Sequence, residues 1–278
     1  MKLIEKIVFH NRSIQIGGAI TLFMILLAIF APFIAPYPPI GMNIPSMLKP
    51  PSADHLFGTD EFGRDVLSRV IFGARISLRV GLSVAITTGI MGIGVGLLAG
   101  YFRRLDNPIM RFLDALMAIP SLLLALAIVS IVGPSEGAAV AALTIAYTPR
   151  TARVIRGAVL SIKEQSYVES ATALGAGTFR IMMQHILVNC MGPVIVQQSF
   201  IFAYAVLAEA MLSFLGVGPP PPAPSWGNII SEARGSMRIA PWIMLFPGIS
   251  ISITVLGINM LGDGLRDVLD PKSRVQGR

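Results

Sequence analysis

Residues 167–186, YVESATALGAGTFRIMMQHI, form a polar insertion of defined pattern between two strongly apolar segments. Glu169, Ser170 and Ala171 precede a Gly-Ala-Gly run at 175–177, and glycine in such a position ends a helix. A short helix with small residues and one acid suits insertion into the groove of a partner protein. The alternative is a helix lying on the membrane surface, although such helices usually carry more bulky apolar and basic residues. The pattern therefore predicts either protein docking or membrane-surface binding.

The sequence lacks the common motifs of catalysis. No lysine follows a glycine, so the phosphate-binding loop G-x-x-x-x-G-K-[ST] is missing, and neither a G-x-S-x-G elbow nor an H-E-x-x-H helix occurs. Cys190 is the single cysteine, and His10, His55 and His185 are too scattered to suggest a metal site. We therefore expect no catalytic residue, no metal and no cofactor on this chain. If transport is driven by ATP, the ATPase must be a separate subunit.

Glu209 is the one acid well inside a strongly apolar segment. Carboxylates inside a membrane are costly, and they usually face the interior of a helix bundle or a water-filled cavity. Glu209 could attract an ammonium group or a metal cation of a substrate. It could equally pair with a basic residue of a partner subunit or lie near the outer interface. We retain Glu209 as a candidate residue of a substrate path.

The elements that position these residues follow from the composition. Hydrophobic residues make up 54% of the chain and charged residues only 13%, which indicates an all-α integral membrane protein. Because each helical span needs about 20 mostly apolar residues, we predict six spans. The fourth contains Arg150 and Arg153, which together with Arg156 are expected to be snorkelling anchors, or else to contact a headgroup or an ATPase. The spans lie near 13–35, 80–101, 112–132, 137–155, 190–213 and 241–262.

The lysines and arginines set the expected orientation. Most of the 22 basic residues fall on the side that holds both termini and the polar insertion, and that side is expected to be cytoplasmic. The net charge of +7 reflects this bias and does not indicate nucleic-acid binding. The predicted organisation is a cytoplasmic N-terminus at 1–12, a transmembrane domain at 13–262 with an extracytoplasmic loop at 36–79 and a cytoplasmic loop at 156–189, and a cytoplasmic tail at 263–278.

The second predicted span contains a regular series of glycines. Gly92, Gly96 and Gly100 form consecutive small-x-x-x-small steps, which allow two helices to approach closely. We expect tight packing inside the bundle, and the alternative is a role in lining a path.

The segment 59–78 shows a period of four residues. Phe62, Val66, Val70 and Ala74 recur at this spacing, which predicts an amphipathic helix. We expect this helix to lie on the outer leaflet, and contact with an extracytoplasmic protein is the alternative. The charged residues expected on the surface of the helix are Arg64, Asp65, Arg69 and Arg75.

The polar insertion resembles the EAA loop of bacterial ABC importer permeases. The resemblance rests on Glu169-Ser170-Ala171, then Gly175, then Ile186-Leu187. There are two departures from the usual pattern. Ser170 replaces the middle alanine, and Val188 stands where proline is common. The resemblance implies a coupling helix that docks on an ATPase, with Glu169, Ser170, Ala171, Leu174, Gly175 and Ala176 as the coupling residues.

Three further segments are similar to one family of these permeases. HLFGTDEFGRDVLSRVIFGARISL, at 55–78, looks like the first extracytoplasmic loop of the dipeptide/oligopeptide/nickel permeases. SFLGVGPPPPAPSWG, at 213–227, and GDGLRDVLDPKSR, at 262–274, look like the C-type subunit of that family. The similar segments extend from about residue 20 to the C-terminus.

This resemblance implies a type I ABC importer permease fold and a non-catalytic subunit that forms half of a pore. The implied partners are a homologous second permease, two cytoplasmic ATPases that bind ATP and Mg²⁺, an extracytoplasmic binding protein and the lipid of a bacterial plasma (inner) membrane. The expected substrate is a di- or oligopeptide. Nickel or a nickel chelate is the first alternative, and glutathione-like compounds and opines are others.

A different functional class is a secondary transporter or channel that works without an ATPase. The sequence shows no inverted repeat and few ionisable residues within the spans that could couple ions, and both observations disfavour that class. A membrane-embedded enzyme is disfavoured because the chain lacks a plausible catalytic site.

Overall fold

The structure is a computed structural model, and it describes residues 11–220 and 222–269. Throughout these residues the regular secondary structure is helical, apart from an isolated β-bridge between Thr59 and Asp65. A 3₁₀ turn lies at Ile44–Ser46, and a π-helical segment, Ile181–Leu187, joins α8 to α9. The helices are α1 (Arg12–Ile29), α2 (Ala31–Ile34), α3 (Val66–Tyr101), α4 (Arg103–Met117), α5 (Ser121–Val132), α6 (Glu136–Lys163), α7 (Ser166–Ala173), α8 (Thr178–Arg180), α9 (Val188–Phe214), α10 (Trp226–Glu232) and α11 (Trp242–Leu269).

Polar side chains fix the first residues of three long helices. The carbonyl oxygen of the Asn11 side chain accepts a hydrogen bond from the Ser13 N–H at the start of α1. Asp65 accepts from the Ser68 N–H before α3, and the Ser135 hydroxyl oxygen accepts from the Ala138 N–H before α6. Each bond satisfies one of the N–H groups that a helix leaves without an internal partner, and such caps contribute about 0.5–2 kcal/mol.

Within the described ranges, four helical segments are long and apolar enough to cross a membrane. These are α1, α3, the run Thr178–Phe214 and α11. Helices α4 and α5 together would form a fifth, bent by 85° at a break that contains Pro120. The fourth of the six predicted spans, 137–155, lies in α6, which is not among the five because of its basic residues. Its 28 residues nevertheless extend about 42 Å at 1.5 Å per residue.

The direction of α6 follows from its contacts with α3. Gly92 lies against Thr151, and one turn further along both helices Gly96 lies against Ile155. Because the residue numbers increase together, α3 and α6 are parallel. The bent pair α4–α5 must therefore carry the chain back between them.

The remaining long helices alternate in direction. The contact of Gly81 with Val206, and that of Gly89 with Gln198, make α9 antiparallel to α3. In the same way, α11 is antiparallel to α9, and α1 is antiparallel to α11. The described residues thus make six passes along the bundle, and the start of α1, where Ile14 lies, packs beside Gly264 near the end of α11.

The glycine series in α3 forms a close interface with α6. A Cβ atom on Gly96 would lie 2.7 Å from the Ala152 carbonyl oxygen, and one on Gly100 would lie 2.7 Å from the Val159 side chain. Gly92 is similarly tight against Thr151. The prediction of tight packing inside the bundle is confirmed.

Leucine in place of Gly96 is expected to destabilise the protein by about 1–3 kcal/mol, because the backbone of α6 would have to move away. Thermal unfolding of the purified protein in mild detergent measures the effect. Gly94→Leu is the matched control, since Gly94 is on the same helix and a Cβ there meets nothing within 4 Å. Equal unfolding temperatures for the two variants would contradict the packing argument.

The start of α3 differs from the sequence-based expectation. The helix begins at Val66, well before the predicted span at 80–101, and its 36 residues extend about 54 Å. The amphipathic segment expected on the outer leaflet is therefore the first part of this long helix. Of the charged residues expected on its surface, Arg75 is exposed as predicted, but the prediction is wrong for Arg64, Asp65 and Arg69, which are buried, whereas Phe62 is 42% exposed.

Two predicted terminal segments lie largely outside the described residues. Of the N-terminus at 1–12, the structure describes residues 11 and 12. Of the tail at 263–278, it describes the part up to 269, and that part is the last portion of α11.

Candidate functional site

Helix α7, the predicted coupling helix, lies at the end of the bundle where α6 ends. It follows α6 after a turn at 164–165, and its Val168 side chain is 3% exposed. Val168 belongs to a buried apolar cluster that includes Ile155 and Val159 of α6 and Ile186 of the π-helical segment. This anchor joins α7 both to α6 and to the segment that leads into α9.

Gly175 ends α7 in a specific geometry. Its φ of +81° lies in the left-handed region that side-chain-bearing residues rarely adopt. The Gly175 N–H donates to the Thr172 carbonyl oxygen, and the Ala176 N–H donates to the Ala171 carbonyl oxygen, both at 3.0 Å. These two bonds define a Schellman motif, which satisfies carbonyl groups at a helix end. The prediction that the Gly-Ala-Gly run ends the helix is confirmed.

The six predicted coupling residues lie together on α7 and its cap, and most face outward. Leu174 is 90% exposed, and three others, Glu169, Ser170 and Gly175, are also exposed. The remaining two, Ala171 and Ala176, are half-buried. Because Val168 holds the opposite side of the helix inside the cluster, α7 presents its small and acidic residues on a supported surface.

The composition of α7 distinguishes between the two predicted uses of such a helix. Tyr167, Leu174 and Phe179 are 43%, 90% and 76% exposed, and exposed apolar groups next to polar residues are typical of a surface that contacts a protein or a membrane. The helix itself, SYVESATA, contains no lysine or arginine, whereas membrane-surface helices usually carry several on their polar face. The composition therefore favours docking on a protein.

Val188 occupies the position where the EAA loop usually has proline. Its φ of −58° and ψ of −38° are helical, so the π-helical segment continues directly into α9. A displacement of the loop can therefore be transmitted to a long helix without an intervening break.

Glu209 lies inside the bundle, with no exposed surface. The Ser77 hydroxyl of α3 donates to one carboxylate oxygen at 2.8 Å, and the Ser213 hydroxyl of α9 donates to the other at 2.7 Å. Ser225, which caps α10, donates to the Ser213 hydroxyl oxygen at 3.4 Å. These contacts connect α3, α9 and the start of α10. The role of Glu209 on a substrate path stays a prediction.

A cluster of four charged residues, three of them buried, lies at the opposite end of the bundle from α7, and sequence reasoning missed it. Arg64 Nε donates to Asp60 Oδ2 at 2.6 Å, and Arg69 also donates to that oxygen at 2.5 Å. Both arginines donate to Glu232 Oε2, at 2.5 and 2.9 Å. Asp60 additionally accepts from the Phe62 and Arg64 N–H groups. We call Asp60, Arg64, Arg69 and Glu232 the outer charge cluster.

The outer charge cluster connects three parts of the chain. Asp60 is in the loop before α3, Arg69 is in the first turn of α3, and Glu232 ends α10. The pairing with Glu232 spans more than 160 residues of sequence. Charged residues are almost never fully buried unless paired. The positions of Arg64 just before the apolar helix α3 and of Arg69 within it could therefore have signalled the cluster, but nothing local identifies Glu232.

Within residues 11–220 and 222–269, no three His, Cys, Asp or Glu side chains lie close enough to hold a metal ion.

Known protein families match most of the chain. Residues 92–275 match the family described as the binding-protein-dependent transport system inner membrane component. Residues 6–51 match the N-terminal transmembrane domain of oligopeptide transport permease C. The chain belongs to the binding-protein-dependent transport permeases. It is therefore a multi-pass membrane permease of the ABC importer class.

Several relatives are similar to this permease over almost their full length. A putative peptide transport system permease protein of Brucella suis is 48% identical over 268 residues, which cover 96% of this chain and 90% of that protein. The dipeptide transport system permease protein DppC of Alkalihalophilus pseudofirmus is 44% identical, with 95% and 87% covered. A di/tripeptide transport system permease of Pseudomonas aeruginosa is 45% identical, with 95% and 89% covered.

A solved structure supports the fold. A chain of the MetNI methionine ABC transporter, in an inward-facing conformation, superposes with a TM-score of 0.61 at 20% identity. The match covers 74% of this permease and 96% of that chain. The permease thus has the type I ABC importer fold expected from its sequence.

Proposed function

We propose that this permease is one of two transmembrane subunits of an ATP-driven importer of di- or oligopeptides. The observation that carries this proposal is the identity of 44–48%, over nearly the full chain, to relatives named as peptide or dipeptide permeases. The single bundle of six passes would form one half of the pore, and a homologous second permease would supply the other half.

In this proposal α7 couples the bundle to an ATPase. Glu169, Ser170 and Leu174 would occupy a cleft of the ATPase subunit, which alone binds ATP and Mg²⁺ and catalyses hydrolysis. The buried Val168 would transmit displacement of α7 to α6 and α9, because its cluster joins all three elements. ATP and the loaded binding protein would then favour the same state of the pore, as coupling between distant sites requires.

The proposed orientation places α7 and both chain ends in the cytoplasm. The end of the bundle that holds α7 also contains many of the basic residues, and such residues concentrate on the cytoplasmic side of a membrane protein. With the permease in a bacterial inner membrane, the outer charge cluster would then face the extracytoplasmic binding protein. The basic residues at the α7 end include Arg103, Arg104, Arg156, Lys163, Arg180 and Arg266.

Purification with the products of neighbouring genes tests the proposal. Tagged permease in mild detergent is expected to bring down a second six-pass protein and P-loop ATPases, identified by mass spectrometry. The reconstituted complex with its binding protein should import a radiolabelled dipeptide only when ATP is supplied. Uptake of Ni²⁺ in place of the dipeptide would overturn the proposed substrate. Solute movement by this chain alone without ATP would overturn the proposed coupling to an ATPase.

Lysine in place of Glu169 is expected to reduce ATP-driven uptake to about a tenth or less. The substitution puts a positive charge where the acid would pair with a basic group of the ATPase, and charge pairs buried at an interface are worth several kcal/mol. Uptake into proteoliposomes measures the effect, and recovery from the membrane fraction shows that insertion is unchanged. Glu164→Lys is the matched control, since this substitution makes the same charge change just before α7. Normal uptake by the Glu169 variant would exclude the docking role.

A further inference from the structure

Three arginines recur along α6, and their partners differ. Arg156 Nε and Nη2 donate to the two carboxylate oxygens of Asp106, at 2.5 and 2.6 Å. Arg153 donates to Asp114 at 2.5 Å. In the described part of the chain, no carboxylate pairs with Arg150. Its guanidinium carbon instead lies 5.8 Å from the ring centroids of both Tyr147 and Tyr204.

Arg150 also lies near the middle of α6. It is about 21 Å from Glu136 and about 20 Å from Lys163, the two ends of α6, at 1.5 Å per residue. Glu136 pairs with Arg79, which lies 13 residues inside α3, and Lys163 donates to the Tyr101 carbonyl oxygen at the end of α3. If the hydrocarbon layer, about 30 Å thick, is centred on α6, then Arg150 lies too deep to reach either surface.

The exposure of Arg150 indicates which surroundings its side chain faces. Arg150 is exposed, and charged side chains at this depth face protein or a water-filled cavity, because contact with lipid is too costly. The surface of α6 and α9 around Arg150 must accordingly be directed away from lipid.

A groove follows this surface towards the end that holds α7. Its first part, of about 490 Å³, is lined by Arg150, Gln197, Phe200 and Tyr204, among others. Gln197 and Phe200 also line a second part, of about 780 Å³, which extends to Arg266 near the end of α11. The two parts share residues, so the groove is continuous from the membrane middle to that end.

We infer that Arg150, with Tyr204 and Gln197, forms a transient binding site for the C-terminal carboxylate of a peptide on its way through the groove. This inference rests on the proposed function. Every unmodified peptide has this carboxylate, and a planar guanidinium binds carboxylates with paired hydrogen bonds. Arg153 and Arg156 are already paired with acids, whereas the two tyrosine rings hold Arg150 only by the weaker cation–π attraction. Such a site binds the anion without retaining it, as transport requires.

The first step of the test uses the wild-type complex, reconstituted with its binding protein and ATP. Dipeptide uptake by this complex establishes the proposed function independently of Arg150, and the variants are then compared with it at saturating peptide. Glutamine in place of Arg150 is expected to lower uptake about tenfold, which corresponds to the loss of one hydrogen bond to a charged group. Lysine, which keeps the charge, should lose less. Arg75→Gln is the control, because Arg75 is exposed on α3 outside the groove and also lies beside a ring, that of Phe72.

Two further measurements separate a substrate site from a structural role. Binding-protein-stimulated ATP hydrolysis should persist in the Arg150→Gln complex, and its thermal stability and subunit composition should match the wild type. Loss of the second permease, or a lowered unfolding temperature, would show instead that Arg150 pairs with an acid of that subunit. Unchanged uptake by the glutamine variant would also overturn the inference.

Discussion

Valine in place of Gly175 is expected to reduce ATP-driven uptake to background while the permease remains in the membrane. Valine is β-branched and is strongly disfavoured at the φ of +81° found here. The cap would have to rearrange, and both hydrogen bonds that end α7 would be lost. Leu174 and the chain beyond it would then leave the docking surface together, which is why we expect a larger loss than from one side chain. Proteoliposome uptake measures the loss.

Two other substitutions make this prediction specific to the cap. Gly177→Val changes the same loop, but Gly177 has a φ of −67° and a Cβ there meets nothing within 4 Å, so uptake should remain close to normal. Gly175→Asn should retain much of the uptake, because asparagine tolerates the left-handed region better than valine does. If all three variants transported equally well, the ending of α7 would have no part in coupling.

The coupling helix was predictable because its determinants are local. A glycine after a short helical pattern is enough to predict the end of α7, and Gly175 fulfils that role. The glycine series at Gly92, Gly96 and Gly100 was predictable for a similar reason, since small residues at a fixed spacing specify a close interface on one face of a helix. Neither prediction required knowledge of the atoms that pack against these glycines.

The fourth span was predicted from the sequence although its composition is less apolar than that of the others. Arg150, Arg153 and Arg156 lower the apolar character of α6 below that of an ordinary span, but the parallel contacts of α6 with α3 make it one of six passes. Two of these arginines are neutralised by Asp106 and Asp114 of α4. A count of charges within one segment cannot include such partners, because they belong to another helix.

The outer charge cluster was not predictable, because it depends on tertiary pairing. The period of four in 59–78 correctly places Val66, Val70 and Ala74 in the core. The pattern assigns charged residues to the solvent, however, and Arg69 is 1% exposed because Asp60 and Glu232 reach it from a loop and from α10.

Asparagine in place of Asp60 is expected to lower the free energy of unfolding by about 3–5 kcal/mol, the usual cost of removing one partner from a buried ion pair. The substitution keeps the shape of the side chain but leaves Arg64 and Arg69 with Glu232 as their remaining carboxylate within the cluster. Unfolding of the purified permease in detergent measures the change. Glu61→Gln is the matched control at the neighbouring acid, which lies outside the cluster, and surface substitutions usually stay within about 0.5 kcal/mol.

A double variant shows whether the cost arises from uncompensated charge. Arg69→Met removes one of the two cations, so Asp60→Asn combined with Arg69→Met should be less destabilised than the sum of the two single variants. A strictly additive loss would mean that the two side chains act independently, despite the 2.5 Å contact between them. If charge is the cause, this cluster helps to hold the loop before α3 against the end of α10. The surface proposed to meet the binding protein would then be loosened less in the double variant than the two single variants together would suggest.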